Sequence, residues 1–412
     1  MALHPAAPQA PAGSADAATA PNAGDTGDTG ESWVGAQVRG HVRPVSGHTR
    51  AELVRALARF RQVDTALGLR LLVVDLLMIA GGFALVLLAD ALWLRLLGSL
   101  LVGFKLGAVY TLAHDAVHGH LVRGAALNRW IATFCYGLTF HNHRIRQYDH
   151  LLLGHHPHLN GPQHDAWRPL SPQDYAAASP ARRAWERFLR SPIVVSFFAY
   201  GVAERWWRAE FFPPAGMPPQ HRREARWLQA AVVAWIGALV ALGVASAQWR
   251  GSPVWFELLL VFGLPVFVFQ TLQAMVLYVQ HTHPDVPWFG PGDALIERFG
   301  PESLTVHVQA PRILGAGTHD ILEHPVHHVV PAIPCYRLHE AQTELTRLLG
   351  GHALRTHLFA FRRLAQVMRT CKLYDYENHR WTDFAGRPTA TTQAAALLGE
   401  RPSSPARGLQ AA

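Results

Sequence analysis

LLVVDLLMIAGGFALVLLADALWLRLLGSLLVGFKLGAVYTLAHDAVHGH, residues Leu71 to His120, decides how this 412-residue chain folds. From Leu71 to Ala89 the only charge is Asp75, and from Leu96 to Ala113 it is Lys105. At a rise of about 1.5 Å per helical residue, runs of this length cross the hydrocarbon core of a bilayer. The linker Asp90 to Arg95 is too short for a domain, so the two runs form a hairpin. The stretch then ends in H-D-A-V-H-G-H, three histidines placed where the second run leaves the membrane.

A second pair of runs repeats the arrangement. Trp227 to Ala247 carries no charge, Val254 to Val279 carries only Glu257, and Gln248 to Pro253 joins them. The expected fold is an all-α membrane protein: four transmembrane helices, about 71–89, 96–113, 227–247 and 254–279, in two hairpins beneath a helical cytoplasmic cap. Ile131 to Phe140 and Ile193 to Val202 are too short to span and are expected in the interface or under the cap. Trp185, Trp206, Trp207 and Trp227 suit an interfacial belt or a buried aromatic core. Gly82, Gly98, Gly103 and Gly107 allow close helix approach. Asp75 and Lys105, costly at mid-membrane, should face the interior, in an ion pair or a headgroup contact, or snorkel.

The formal net charge is +8. Its arginines sit beside the apolar runs, at Arg50, Arg55, Arg59, Arg61 and Arg70 and again at Arg123, Arg129, Arg144 and Arg146. That is the positive-inside distribution, which places both termini and the middle segment in the cytoplasm. No basic-aromatic pattern of a nucleic-acid module accompanies it, so the charge reads as topology and attraction to anionic lipid. Residues 1–48, rich in Ala, Pro, Gly and Asp, read as a disordered tail, 49–385 as the functional domain, and 386–412 as a flexible tail.

Histidine is concentrated where chemistry is expected. Of 25 histidines, ten lie between His114 and His164 and eight between His281 and His339. Neutral imidazole is a good ligand for iron, copper or zinc. His114 and His118, at i and i+4, share a helix face, with His120 a secondary ligand or hydrogen-bonding neighbour. In H-L-L-L-G-H-H-P-H-L-N-G-P-Q-H the adjacent His155 and His156 are the preferred ligands and His150 a further candidate. His158, His164, His141 and His143 either orient ligands or lie on the surface. His281 ends the fourth run, and His324, His327 and His328 fit one turn of a helix entered through Pro325 and stopped by Pro331 and Pro334. Asp115, Asp165 and Asp320 are candidates to hydrogen-bond ligand N–H groups or to cap helices.

Eight or more nitrogen ligands exceed what one zinc requires and suit two metals. Cys135, Cys335 and Cys371 form neither a disulfide framework nor a cysteine-ligated cluster. The H-E-x-x-H motif of zinc proteases is absent, as is the pair of Glu-x-x-His motifs of soluble di-iron bundles. A metal transporter or store would carry its polar ligands at mid-membrane, whereas these lie beyond the span ends.

Y-V-Q-H-T-H-P-D-V-P-W-F, from Tyr278, and H-D-I-L-E-H-P-V-H-H-V-V-P-A-I-P-C-Y-R-L, from His319, resemble segments of the membrane fatty acid desaturase family, the oleate-type members in particular. The resemblance runs from about Leu71 to Leu345. It implies two iron ions held by His114, His118, His150, His155, His156, His281, His324, His327 and His328, with His319 a further candidate ligand. It also implies dioxygen as co-substrate, a lipid or acyl-thioester substrate, and two electrons from outside. The middle box departs from the family's H-x-x-H-H, since four residues separate His150 from the pair. Either the chain bulges there or another histidine, such as His158, takes the place. The chain lacks a Rossmann fingerprint, a haem-binding segment and ferredoxin-like cysteines, so the donor is expected to be a separate ferredoxin or cytochrome-type protein. Among enzymes, the alternative is a hydroxylase or ketolase of an alkane, carotenoid or sphingoid chain, which uses the same kind of centre to insert oxygen.

Overall fold

The structure, a computed structural model, describes residues 44–398 apart from 154, 165, 215 and 351–353. It is mostly helical, with four helices long and apolar enough to cross a membrane: Thr65–Leu88, Leu92–Val117, Pro219–Arg250 and Val254–His281. Each extends past its apolar run at one end or both. Asp64 caps the first helix by accepting the Leu67 N–H at 3.0 Å. The third ends at Gly251, whose φ of +63° places it in the left-handed region that favours glycine. The fourth contains a π-helical segment, Leu259–Gly263, before continuing as Leu264–His281.

Glycine decides how closely these helices approach. A Cβ on Gly82 would lie 2.9 Å from the Gly98 carbonyl oxygen, and one on Gly98 would lie 2.5 Å from the Gly82 oxygen, so the first two spans touch backbone to backbone. Gly103 packs in the same way on the fourth span, 2.7 Å from the Pro265 oxygen, whereas Gly107 faces open space. Both buried charges expected to turn inward do so. Lys105 Nζ lies 2.8 Å from Asp75 Oδ1, an ion pair joining the first two spans. At the other end of the bundle Arg95 pairs with Glu257, which also accepts hydrogen bonds from Ser246 and Ser252.

The outer faces keep large apolar side chains exposed, among them Leu77, Trp93, Trp130, Trp227, Trp249 and Trp255, as a helix bundle facing lipid requires. Of the four expected belt tryptophans, Trp207 and Trp227 are exposed. Trp206 and Trp185 are instead drawn inward, their indole N–H groups donating to the Phe140 carbonyl and to Glu204. Ile131 to Phe140 falls mostly in an amphipathic helix, Ala125–Leu138, that buries Ile131, Ala132, Cys135 and Tyr136. Ile193 to Val202 forms Val194–Ala199 and enters the π-helical Tyr200–Glu210.

Two small sheets complete the fold. Val306–Gln309 pairs in parallel with Arg355–Leu358, and Leu373–Asp375, Arg380–Thr382 and Pro388–Thr391 form an antiparallel three-stranded sheet. The last strand lies within the stretch from 386 that is expected as a flexible tail. Pro388–Thr391 is paired with Arg380–Thr382, and the following helix, Gln393–Leu397, buries Ala394 and Ala395. Backbone pairing and two small buried side chains anchor a stretch whose composition reads as loose. The Gln393 N–H also donates to the Asp285 carbonyl at 3.2 Å. The expected tails at 1–43 and 399–412 lie outside the described residues, as does Asp165.

Candidate metal centre

The second span carries His114 near its end and stops at Val117, with His118 as the capping residue. Their ring centroids are 4.6 Å apart. The turn that follows is pinned by Asn128, whose side-chain amide donates to the carbonyls of Gly119, Val122 and Gly124 and accepts the Val122 N–H. The fourth span ends on His281. His324–Val329 is a short helix with Pro325 in its first turn, and all six of its residues are buried.

The middle box bulges. Gln147–Leu153 is π-helical and carries His150, a wider coil of the kind that absorbs extra residues at functional sites. The chain stays wide beyond it, the His155 and His156 N–H groups reaching back to the carbonyls of Asp149 and His150. This geometry brings His150 to the same point as His114, and their Nε2 atoms lie 2.7 Å apart.

Nine of the fifteen histidines named from the sequence gather into two groups. His114, His118, His150, His156 and His327 form one, and His155, His281, His324 and His328 the other, with the contributing nitrogens of each within 4.8 Å of one another. In the first, Nε2 of His156 lies 3.1 Å from that of His150 and 3.3 Å from that of His327. In the second, Nε2 of His324 lies 2.9 Å from both His281 and His328. The groups adjoin, the His156 and His328 ring centroids being 4.5 Å apart.

This donor set fits metal ions. Burial pushes His118, His150, His155, His156, His324, His327 and His328 well below the usual imidazole value of 6.5. The rings are therefore neutral at pH 7, each with one lone pair. Nitrogens facing nitrogens can satisfy each other only in pairs, and Nε2 of His118 and of His155 has no hydrogen-bond partner among the described residues. A cation held by each group would accept these lone pairs together. All-imidazole ligation suits iron, copper or zinc.

The three secondary candidates lie elsewhere. His120 and His158 are half-buried and belong to neither group. His319 turns to the membrane helices, its Nε2 2.6 Å from Asp75 Oδ2. Asp115 accepts the Cys335 N–H and lies 3.6 Å from His114 Nδ1, while Asp320 pairs with Arg312. Cys135, Cys335 and Cys371 are all free and buried.

Sequence reasoning missed the support under His150. Glu210 gathers Arg146 at 2.6 Å, Arg205, and His141 at 2.9 Å. Arg146 also binds Asp149 at 2.7 Å and approaches His150 Nδ1 at 3.3 Å. Burial opposes a charge on Glu210, but Arg146 and Arg205 outweigh it and hold the carboxyl well below the usual range. Glu210 lies sixty-four positions from Arg146, and no local pattern marks it.

A pH dependence follows from histidines outside both groups. Burial, with Arg144 alongside, lowers His143 to about 4, and burial beside His283 lowers His357 to about 4. Because the folded values lie below the unfolded one, the unfolded chain takes up protons first as the pH falls. The stability these neutral rings allow is complete above pH ~6.5 and lost as the pH falls towards ~4. The melting temperature of chelator-treated protein should drop between pH ~7.5 and ~5. His143→Gln with His357→Gln should lessen that drop, the buried histidines of the two groups supplying the rest, and an unchanged slope would remove these two residues from the account.

Four membrane-length helices, with two buried histidine groups gathered near the ends of the second and fourth, define a membrane protein with histidine clusters that could hold metal ions. The chain matches the family model for fatty acid desaturases over residues 91–360, more than half its length, and it belongs to that family. It is thus an oxidoreductase of the desaturase class. It is 25% identical over 303 residues to the sn-1 oleoyl-lipid 12-desaturase of Anabaena variabilis, covering 70% of this chain and 79% of that protein. It is 27% identical over 286 residues to the enzyme of the same name from Synechocystis sp., covering 67% and 75%. It is 24% identical over 288 residues to the Synechocystis sn-1 acyl-lipid omega-3 desaturase (ferredoxin), covering 68% and 74%.

Proposed function

We propose that this protein is a multi-pass membrane desaturase that introduces a double bond into a lipid-linked fatty acyl chain, using dioxygen and two electrons from a separate carrier such as a ferredoxin. The observation that carries the reading is the convergence of nine histidines into adjoining groups of five and four. His114, His118, His150, His156 and His327 hold one iron ion, and His155, His281, His324 and His328 the other. When bound, the iron pair supplies, with dioxygen, the oxidising power that an unactivated methylene requires. The chain's own residues hold neutral nitrogens at fixed positions and keep water from them, since seven of the nine rings are almost fully buried. Names of relatives that act on oleoyl-lipid and acyl-lipid favour a lipid over a thioester, and the relative named with ferredoxin favours that class of donor.

Fatty acids from a host expressing the chain provide the test. Loss of two hydrogens from a resident acyl chain is the expected product. Gain of one oxygen would move the assignment to a hydroxylase or ketolase.

The spans form two hairpins, with both termini and both histidine groups cytoplasmic, as the arginine distribution requires. Gln163 and Ile313 are exposed near the centre, and all three native cysteines are buried. Gln163→Cys and Ile313→Cys are expected to react with an impermeant thiol reagent only from the cytoplasmic face. Labelling of either from the opposite face would break the single-sided arrangement.

A further inference from the structure

His164 belongs to neither histidine group, yet it is 1% exposed and lies directly behind one of them. Its Nε2 is 3.0 Å from Nδ1 of His155, and its ring stacks on Trp288 with centroids 5.1 Å apart. Its other nitrogen, Nδ1, faces Asn160, with the side-chain oxygen at 3.1 Å and the main-chain N at 2.9 Å. Asn160 is itself fixed. Its side-chain amide donates to the carbonyls of Pro287 and Leu304, and its carbonyl accepts the Phe289 N–H. His155 Nε2 has no hydrogen-bond partner among the described residues, and the His155 ring shares its group with His281, His324 and His328.

A neutral imidazole has one N–H and one lone pair, so this chain of contacts has two proton arrangements. In one, the Asn160 main-chain N–H donates to His164 Nδ1 and His164 Nε2–H donates to His155 Nδ1. The proton of His155 then sits on Nε2 and blocks coordination. In the other, His155 Nδ1–H donates to His164 Nε2, and His164 Nδ1–H donates to the Asn160 side-chain oxygen. That order leaves the Nε2 lone pair of His155 free, so that it would be available to hold a metal ion.

We propose that His164, anchored by Asn160, is a positioning residue that sets the tautomer and orientation of His155 and thereby loads the four-histidine group. Within that group, Nδ1 of His281 and of His324 has no comparable partner among the described residues. Unlike those two rings, His155 has its Nδ1 held against a fixed partner. The inference rests on the assignment of the two groups as metal sites.

The test measures iron rather than turnover. Purified full-length holoprotein is challenged with a graded chelator, and iron per chain is followed for wild type, His164→Leu and His164→Gln. Leucine fills the space without an acceptor, whereas the glutamine oxygen can take the His155 N–H. His164→Leu is expected to release one of two irons at roughly 10- to 100-fold lower chelator while the other stays, and His164→Gln to hold both. In His164→Gly, added imidazole should restore the second iron, a recovery that a purely structural defect would not show.

The proposal is overturned if His164→Leu holds both irons like wild type, if leucine and glutamine behave alike, or if imidazole restores nothing. Wild-type protein that takes up no iron would instead remove the functional reading beneath it.

Discussion

Replacing His150 by alanine is expected to abolish desaturation and strip iron as completely as His156→Ala, while the chain still inserts in the membrane. Both side chains end in the five-histidine group, with Nε2 atoms 3.1 Å apart, and neither contributes to the four spans. His158→Ala should be far milder, because that ring is half-buried and outside both groups. His327→Ala and His328→Ala extend the comparison. They are neighbours on one helix but belong to different groups, so each should lose activity outright while depleting a different iron. The checks are iron per chain, unsaturated product and membrane recovery. Iron and product retained in His150→Ala but lost in His158→Ala would transfer the assignment.

The second large effect is on stability. Asp75→Ala should destabilise the protein by about 3–5 kcal/mol, the usual consequence of removing one partner from a buried charge pair. Asp75 is 1% exposed and serves two groups, the Lys105 ammonium on one oxygen and the His319 ring on the other. Lys105 also reaches the Gly317 carbonyl at 3.3 Å, so the same cluster ties the first two spans to the segment leading to His324. His319 and Asp320 there both have left-handed backbones, with φ of +56° and +54°, a conformation retained while Asp75 holds one side chain and Arg312 the other. Asp75→Leu combined with Lys105→Met should recover part of the loss, because no unpaired charge remains. A loss under about 0.5 kcal/mol for Asp75→Ala in denaturant unfolding of detergent-solubilised protein would show that the cluster contributes little.

The sequence by itself determined the features that depend on short-range pattern. Four apolar runs prescribe four helices, since only a helix satisfies its own backbone in lipid, and each appears near its run. The i and i+4 spacing of His114 and His118 puts them in one group, and Pro325 starts the helix of His324, His327 and His328. The histidine-only character of the site is also a matter of composition.

Tertiary structure decided how the histidines divide. Adjacent residues on a helix point about 100° apart, so His327 and His328 serve different groups, as His155 and His156 also do beyond the bulge. Only packing determines which neighbours each then meets. The π-helical turn that brings His150 to His114 depends on Arg146 and Glu210, separated by sixty-four positions. His319, a candidate ligand by order along the chain, was taken by a carboxylate 244 positions away, because a buried charge at Asp75 requires partners and the fold set His319 beside it. Pattern within a few residues fixes helices and ligand types. Which buried charge or lone pair meets which is settled only when distant segments close over one another and water is gone.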